Sequence, residues 1–577
     1  MTTDAPPAAG DPPARRKLPF SGYDVLATAA MLLIVFLVVF PIGRMLIRTF
    51  VVDGQLTFGA ALNVFAQPWF VPVLVNTGIL VLATTVICVL LGATLAWLNE
   101  RTDANLGVFG FILPIVPMLI PSTALAIGWV FLAEPNVGFI NGFLQSLPLI
   151  GRGGLNLRVN IYSWGGLIWV YVIHGIPYVY LVVSAALQGM DPALEEASQI
   201  SGAPLWKTLF RVSLPSILPA LIASSLLVVL TGFGLYSIPV IIATTAEIDL
   251  LPVRLVRMLT NEYPPRIAEA QVLGLVMLIT IATLWYLQRR VLKRGSHVMQ
   301  GGRSTGGARF PLGRWRIAGR TLMFVYMGCA AVLPLLSLVI VALQPFWTPT
   351  IDVTRFTLRH FEQVLFVNPI TVNAFKNSLL LSGAGATIAM ALAAIAAIQI
   401  VRRATPLSYA VDGIIKLPAI VPNLVISLGF LIAFAGAPFF LSGSVLLLLM
   451  AYIIMYVPPG SISANAAVAQ VGNDLREASQ IAGATEGRTI GRIVLPLALP
   501  GFVAGWTIVF VHMMGDLSGA ALLSSIGNPV IGFAILTIWD AGSFGQLAAF
   551  STLMCLAITI IVALSAWLAR PRARRGR

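Results

Sequence analysis

The strongest constraint on this 577-residue chain is a series of apolar stretches, each long enough to cross a bilayer. A spanning helix needs about 20 apolar residues. Twelve stretches qualify: 25–48, 71–97, 107–132, 164–188, 216–243 and 269–288, then 319–344, 377–401, 412–436, 444–468, 498–524 and 546–569. With 58% hydrophobic and only 10% charged residues, a soluble domain could not hide so much apolar surface. The alternating segments of about ten residues that build membrane barrels are not seen. The chain reads as an all-α membrane protein with about 12 transmembrane helices.

A net charge of +14 raises the question of nucleic acid, but its placement argues for topology instead. Arg15, Arg16 and Lys17 precede the first span, Arg570 to Arg577 follow the last, and residues 289–320 carry nine arginines and lysines with no acid. Twelve spans put all three clusters on one side, which the positive-inside rule makes cytoplasmic. Arg44 and Arg48, at the outer end of the first span, are a local exception. No nucleic-acid partner is expected. The basic joint is a solvated linker, with anionic lipid headgroups as an alternative contact. The apolar run after residue 24 is too long for a signal-peptide core and has no small-residue cleavage site, so the first span should stay uncleaved. Cys88, Cys329 and Cys555 fall inside spans without metal-ligand spacing and read as packing residues.

The two halves repeat. Asn76-Thr77 and Pro121 return 301 positions later as Asn377-Ser378 and Pro422, placed at the starts of the second and eighth spans and within the third and ninth. Pro177 returns as Pro458 at an offset of 281. A six-span unit therefore occurs twice in one orientation. The fall in offset means that the first half carries 20 more residues between Glu134 and Tyr162, on the outer side by the topology. That turn-rich loop suits an asymmetric outer partner, or it merely tolerates insertion. The expected organisation is a disordered cytoplasmic segment 1–24, a first membrane half 25–288, a basic cytoplasmic linker 289–318, a second membrane half 319–569 and a basic tail 570–577. Pro121, Gly175, Pro177, Gly232, Gly234, Pro422, Pro458, Pro459 and Gly515 are the candidate weak points in the spans.

One polar stretch is written twice on the cytoplasmic side. Residues 194–204 read Leu-Glu-Glu-Ala-Ser-Gln-Ile-Ser-Gly-Ala-Pro, and 475–485 read Leu-Arg-Glu-Ala-Ser-Gln-Ile-Ala-Gly-Ala-Thr. Leu194, Ala197 and Ile200 recur at helical spacing, as do Leu475, Ala478 and Ile481. Gly202 and Gly483 can take a left-handed turn and send a second helical arm off at an angle. Pro215 and Pro496 fit the first turns of the spans that follow. Two projecting elbows result, each shaped to lie in a groove of another protein.

Glu-Ala-Ser-x-x-x-Gly at 196–202 and 477–483 resembles the EAA loop of bacterial ABC importer permeases, whose coupling helix docks on an ATPase subunit. Asn160-Ile161-Tyr162-Ser163, Phe233-Gly234, Ile238-Pro239, Tyr263-Pro264-Pro265, Asp516-Leu517-Ser518 and Ile538-Trp539-Asp540 further resemble the fused, ferric-iron-type members. In that family the acid at 516 is more usually Glu, and Ser198 and Ser479 stand where a second Ala is usual. Thiamine, aminoethylphosphonate and polyamine permeases share much of the pattern. The resemblance implies two six-helix type I permease repeats in a bacterial inner membrane, both termini cytoplasmic. It implies docking of an ABC ATPase dimer through Glu195, Glu196, Ala197, Gly202, Glu477, Ala478 and Gly483. It also implies cargo delivered by a periplasmic or lipid-anchored binding protein. No Lys follows a Gly anywhere, so the chain has no GxxxxGK[ST] phosphate loop. No cofactor is expected on this chain, and ATP would be used by the partner subunit.

Ionisable groups at membrane depth mark candidate paths. His512 and Asp516, four apart, should share a helix face, and His174 lies one turn before Pro177. For ferric iron, Tyr171, Tyr178 and Tyr236 are possible oxygen donors. The competing reading is inter-helix hydrogen bonding, and no resident metal site is expected. An ion-driven secondary carrier would want intramembrane acids in both halves and no docking pair. A membrane enzyme would want a nucleophile, metal or paired-carboxylate constellation, which is not seen.

Overall fold

A computed structural model describes residues 22–52, 54–148, 156–294, 309–402 and 405–569. Residues 1–21 of the expected disordered start, the tail, the middle of the basic joint (295–308) and the glycines at 151, 153 and 154 lie outside the described residues, whereas 22–24, expected to be disordered, already belong to a helix.

The repeat is visible as two matched sets of nine helices. The first set is α1 (Gly22–Phe50), α2 (Phe70–Arg101), α3 (Val108–Met118), α4 (Ser122–Ala133), α5 (Trp164–Gly189), α6 (Ala193–Ile200), α7 (Leu205–Gly234), α8 (Leu251–Thr260) and α9 (Ile267–Arg294). The second is α10 (Trp315–Leu343), α11 (Pro369–Arg402), α12 (Pro406–Lys416), α13 (Asn423–Phe434), α14 (Val445–Ala469), α15 (Asn473–Ile481), α16 (Gly487–Met514), α17 (Ile531–Asp540) and α18 (Phe544–Leu568). Local chemistry repeats with them. Ser163 and Ser444 cap α5 and α14 by accepting from the amides of Gly166 and Leu447, at 3.2 Å in each case.

Ten helices among the described residues are long and apolar enough to cross a membrane without interruption. Two of the twelve expected spans are not continuous, and both break at prolines marked as weak points in the sequence. The stretch at 107–132 divides into α3 and α4 at Pro121, and that at 412–436 divides into α12 and α13 at Pro422, the latter pair bent by 105°. Each proline has extended backbone and stands immediately before the new helix, where its missing N–H costs nothing. The other candidate weak points differ. Pro177, Pro458 and Pro459 lie inside continuous helices, while Gly234 and Gly515 end theirs.

Within each half, α2, α5 and α7 pack together, as do α11, α14 and α16. Small residues allow the approach: a Cβ at Gly92 would sit 2.8 Å from Val179, and one at Gly385 would sit 2.9 Å from Met513. The first helix of each half then crosses to the other half. α1 lies on α13, and α10 lies on α4. At each crossing a proline of the crossing helix seats against a glycine of the broken pair. Pro41 meets Gly429 and Pro334 meets Gly128.

These two crossings differ in tightness, and that gives a measurable contrast. A Cβ at Gly128 would lie 2.8 Å from the Pro334 backbone, whereas one at Gly429 would lie 3.4 Å from the Pro41 carbonyl. Gly128→Ala should therefore destabilise the protein by ~1–3 kcal/mol through overpacking. Gly429→Ala, whose added methyl would make ordinary van der Waals contact with Pro41, should cost less than about 1 kcal/mol. Thermal unfolding of the detergent-solubilised chain distinguishes them.

Candidate functional site

At one end of the bundle two elbows project. The first begins where the Asp191 carboxylate accepts from the Ala193 amide (3.0 Å) and ends at Gly202, whose φ is +77°. Gly483 ends the second with φ +76°. Ala203 donates to the Ser198 carbonyl and Ala484 to the Ser479 carbonyl, each at 3.1 Å, closing the left-handed helix stop. A Cβ at either glycine would meet nothing within 4 Å, so backbone conformation rather than space requires glycine. A hydroxyl pair braces the two arms of each elbow: Ser198 with Thr208, and Ser479 with Thr489, both at 2.8 Å.

The outward faces match closely. Leu194 and Ile200 are 48% and 88% exposed, against 50% and 88% for Leu475 and Ile481. Ala197 and Ala478 are exposed beside them, with Glu477 exposed and Glu196 half-buried. Glu195 corrects the expected set of docking residues. It is 3% exposed and points back to the bundle, where Arg101 lies 3.4 Å away, so it offers no surface to a partner. Sequence pattern treated the two adjacent acids alike, but helical rotation of about 100° per residue sends them to different faces.

Beyond each elbow the expected span starts also shift. The second arm does not stop at Pro215 or Pro496; it runs unbroken into the membrane as α7 and α16. The join is a π turn in both halves, Leu209–Ser213 and Ile490–Val494, each ending two residues before the proline. Proline offers no N–H to the preceding turn and its ring crowds a carbonyl there. The wider turn absorbs that conflict without breaking the rod.

The far ends of these rods meet the broken pairs of the opposite half. A Cβ on Gly515, which ends α16, would lie 2.9 Å from Pro121; one on Gly234, which ends α7, would lie 3.3 Å from Pro422. Between them lies a cavity of about 340 Å³, bordered by both prolines, both glycines, His174, Tyr178, Tyr456, His512 and Asp516. Its chemistry is unequal. The Tyr456 hydroxyl donates to Asp516 at 2.7 Å and accepts from Asn423 at 3.1 Å. The other Asp516 oxygen accepts from the Gly519 amide at 2.7 Å, at the start of a short helix (Ser518–Leu523) whose dipole favours an anion. In the first half Leu235 occupies the position matching Asp516, and Ser122 and Ser237 join their hydroxyls at 2.5 Å.

All three path candidates thus border one cavity, with His174 supplied by the first half and His512 and Asp516 by the second. His512 and Asp516 do not share a helix face, however. α16 ends at Met514, and Asp516 lies beyond Gly515 in the break. The Ile508 carbonyl can only accept, so its 2.8 Å contact places the neutral ring's proton on Nδ1 and leaves Nε2 a lone pair. Of the three tyrosines, only Tyr178 borders the cavity; Tyr171 reaches the Leu235 carbonyl at 3.4 Å, and Tyr236 is buried. Tyr456 and Asn423 were missed. Their signal was a difference between the repeats, since Gly175 and Ser122 stand at the matching first-half positions. Among the described residues no three His, Cys, Asp or Glu side chains are grouped to hold a metal.

A feature shared by both halves holds the opposite end together. Asn76 and Asn377, which prove to lie within α2 and α11 rather than at their starts, donate to the carbonyls of Asp249 and Pro529 at 3.2 and 2.9 Å. Their neighbours Thr77 and Ser378 accept from the amides that start α8 and α17, at 3.0 and 2.8 Å. The longer first-half loop is pinned by buried Asn141, which donates to the carbonyls of Glu134 and Val159, both at 2.7 Å. The loop rests on the second half, where Gly142 abuts Pro349. Beside it, Tyr162 is held protonated by burial and by the Glu134 charge, in that order.

Comparison with known proteins agrees with the duplication. The family described as "Binding-protein-dependent transport system inner membrane component" matches at residues 88–296 and again at 389–575. A ferric transport system permease protein of Actinobacillus pleuropneumoniae is 23% identical over 548 residues, covering 93% of this chain and 77% of that one. An Fe(3+)-transport system permease protein of Haemophilus influenzae is 24% identical over 490 residues, covering 84% and 86%. A spermidine/putrescine transport system permease protein of the same species is 24% identical over 206 residues, covering 36% and 79%.

The cavity geometry separates a structural group from a lining group. Tyr456→Phe removes one hydrogen bond from a buried carboxylate and should lower stability by ~1–3 kcal/mol. His512→Gln, whose parent contact is to its own helix, should leave the unfolding temperature nearly unchanged while altering cargo passage. Thermal unfolding and transport assays on the two variants test this division.

Proposed function

The chain belongs to the family of binding-protein-dependent transport system inner membrane components, and from that premise we propose that it forms the translocation path of an importer for ferric iron, driven by a separate ABC ATPase dimer. The observation that carries this reading is the pair of elbows: two near-identical apolar faces exposed at one end of a twofold bundle, each continuous with a rod that ends at a shared cavity. Relatives that match nearly the whole duplicated chain are ferric transport permeases, and this supports iron as cargo.

The rods supply the mechanics. α7 and α16 comprise 30 and 28 residues, or about 40–45 Å at 1.5 Å per residue. Movement of the elbows by a closing ATPase dimer is delivered at the rod tips, Gly234 and Gly515. Those tips abut Pro422 and Pro121 of the opposite half, so displacing them parts the halves at the cavity and alternates its access. A carboxylate already holding a phenol and an amide is a poor permanent ligand, consistent with a route that must release its cargo. The elbow end faces the cytoplasm, with both termini, and the loop end receives a binding protein carrying the iron. Specificity then rests with that protein, and this chain performs no hydrolysis of its own.

Two tests address the partner and the cargo. Affinity purification of the tagged chain from its native host should bring down an ATPase. Glu196→Arg with Glu477→Arg should abolish that recovery while leaving the chain in the membrane at parental level. Uptake of radioactive ferric iron should fall at least tenfold in the double variant. Retained uptake without any ATPase would instead identify an ion-driven carrier.

A further inference from the structure

Among the described residues each half buries one arginine at the elbow end, in matching register. Arg101 closes α2 and Arg402 closes α11, 301 positions apart. A buried guanidinium left unpaired is strongly unfavourable, so each must find an acid. The two find it in different places.

Arg101 Nε lies 3.4 Å from Glu195 Oε2 on α6, the first docking helix. The same guanidinium donates to the carbonyls of Leu187 and Met190 at 2.6 and 3.0 Å. Glu195 Oε1 accepts from the Ser213 hydroxyl at 2.5 Å. One ion pair thereby ties α2, the end of α5, the docking helix and the π turn of α7 into a single body. In the second half, 281 positions after Glu195 and Ser213, stand Arg476 and Val494. An arginine cannot neutralise Arg402, and valine offers no hydroxyl, so this tie cannot be rebuilt.

Arg402 instead pairs with Asp24 of the crossing helix α1, Nη1 to Oδ1 3.4 Å, with both side chains almost fully buried. Gln399 bridges them, donating to Asp24 and accepting from Arg402, both at 3.1 Å. The Tyr23 ring lies 4.7 Å from the guanidinium carbon. On the first half, the crossing helix α10 brings a base, Arg320, which donates to the carbonyls of Asp103, Ala104 and Asn105 at 3.3–3.5 Å. The acid beside the buried arginine thus comes from the docking helix in the first half and from the crossing helix in the second.

We propose that Arg101 and Glu195 are positioning residues that lock the first docking helix to its own bundle, and that the second docking helix is not locked in this way, so that the two elbows transmit motion unequally. This rests on the reading of the elbows as docking elements for a motor. The first elbow then drives its half as a rigid lever. The second, with Arg476 in place of Glu195, delivers its push into α16 without that pair, while Asp24–Arg402 serves to hold α1 across the seam.

Hydrogen exchange on the full chain in lipid nanodiscs tests the lock without any motor. Glu195→Gln should raise exchange across residues 193–200 about tenfold or more and leave 473–481 at the parental rate. Ser213→Ala should give a smaller rise, and the charge exchange Arg101→Glu with Glu195→Arg should restore protection, which separates a lost tie from a misfolded chain. Asp24→Asn should loosen the start of α1 and leave 473–481 unchanged. Unaltered exchange at 193–200 in Glu195→Gln, or equal loosening of 473–481 by Asp24→Asn, would overturn the proposal. In the assembled transporter, Glu195→Gln should lower radio-iron moved per ATP hydrolysed by about tenfold while hydrolysis continues, and the charge exchange should recover it. Loosened exchange with an unchanged ratio would overturn unequal transmission while leaving the importer reading intact. Failure of the parental chain to recruit an ATPase would overturn both.

Discussion

Inside a bilayer a backbone amide or carbonyl without a partner has no water to turn to, and the rest of this architecture follows from that constraint. A chain under it can stop a helix only where protein, rather than lipid, surrounds the loose groups. The breaks at Pro121 and Pro422 lie deep between the halves, beside Gly515 and Gly234, and the helices that cross from the opposite half seat a few turns further along at Gly128 and Gly429. The crossing helices are thus part of what makes the breaks tolerable. The cavity is the consequence, since four chain interruptions converging on one place cannot all be filled.

The same economy explains where the polar groups went. Asp516 is not a solitary charge in an apolar medium; a phenol, an amide and a short helix start satisfy it. Its first-half counterpart is a leucine, and the seam there is held by two serine hydroxyls. A duplicated scaffold therefore presents a cavity with unlike walls, and only one wall carries the acid. At the elbow end the scaffold is again duplicated, with the Ser–Thr brace and left-handed glycine kept in both copies, while the charges around the buried arginines are redistributed. Features that define the shape of an elbow are alike in the halves; features that tie it to the membrane body are not.

Much of the functional site was legible because the chain carries its own internal comparison. Gly202 and Gly483 stood out as turn residues, and both adopt the positive φ that their position after a helix suggested. The two stretches that break were counted as spans by hydropathy, and although Pro121 and Pro422 were marked as weak points, composition does not tell a kink from a full break. Glu195 was misread because two adjacent acids look equivalent in a motif, although a helix points them roughly 100° apart. Tyr456 went unnoticed because the repeats were read for what they share, and its signal is a difference, with Gly175 at the matching first-half position.

Membrane class, helical type, the duplication and the two elbows were determined by the sequence alone, since apolar length, charge placement and repeated spacing act locally and add along the chain. Which helix crosses to which half, where a break is sheltered, and which acid neutralises which arginine were decided only in three dimensions. Those outcomes depend on contacts between residues far apart in the chain, 378 positions in the case of Asp24 and Arg402. Charge neutralisation in a buried site demands an acid but does not specify its donor, so only packing can settle that choice.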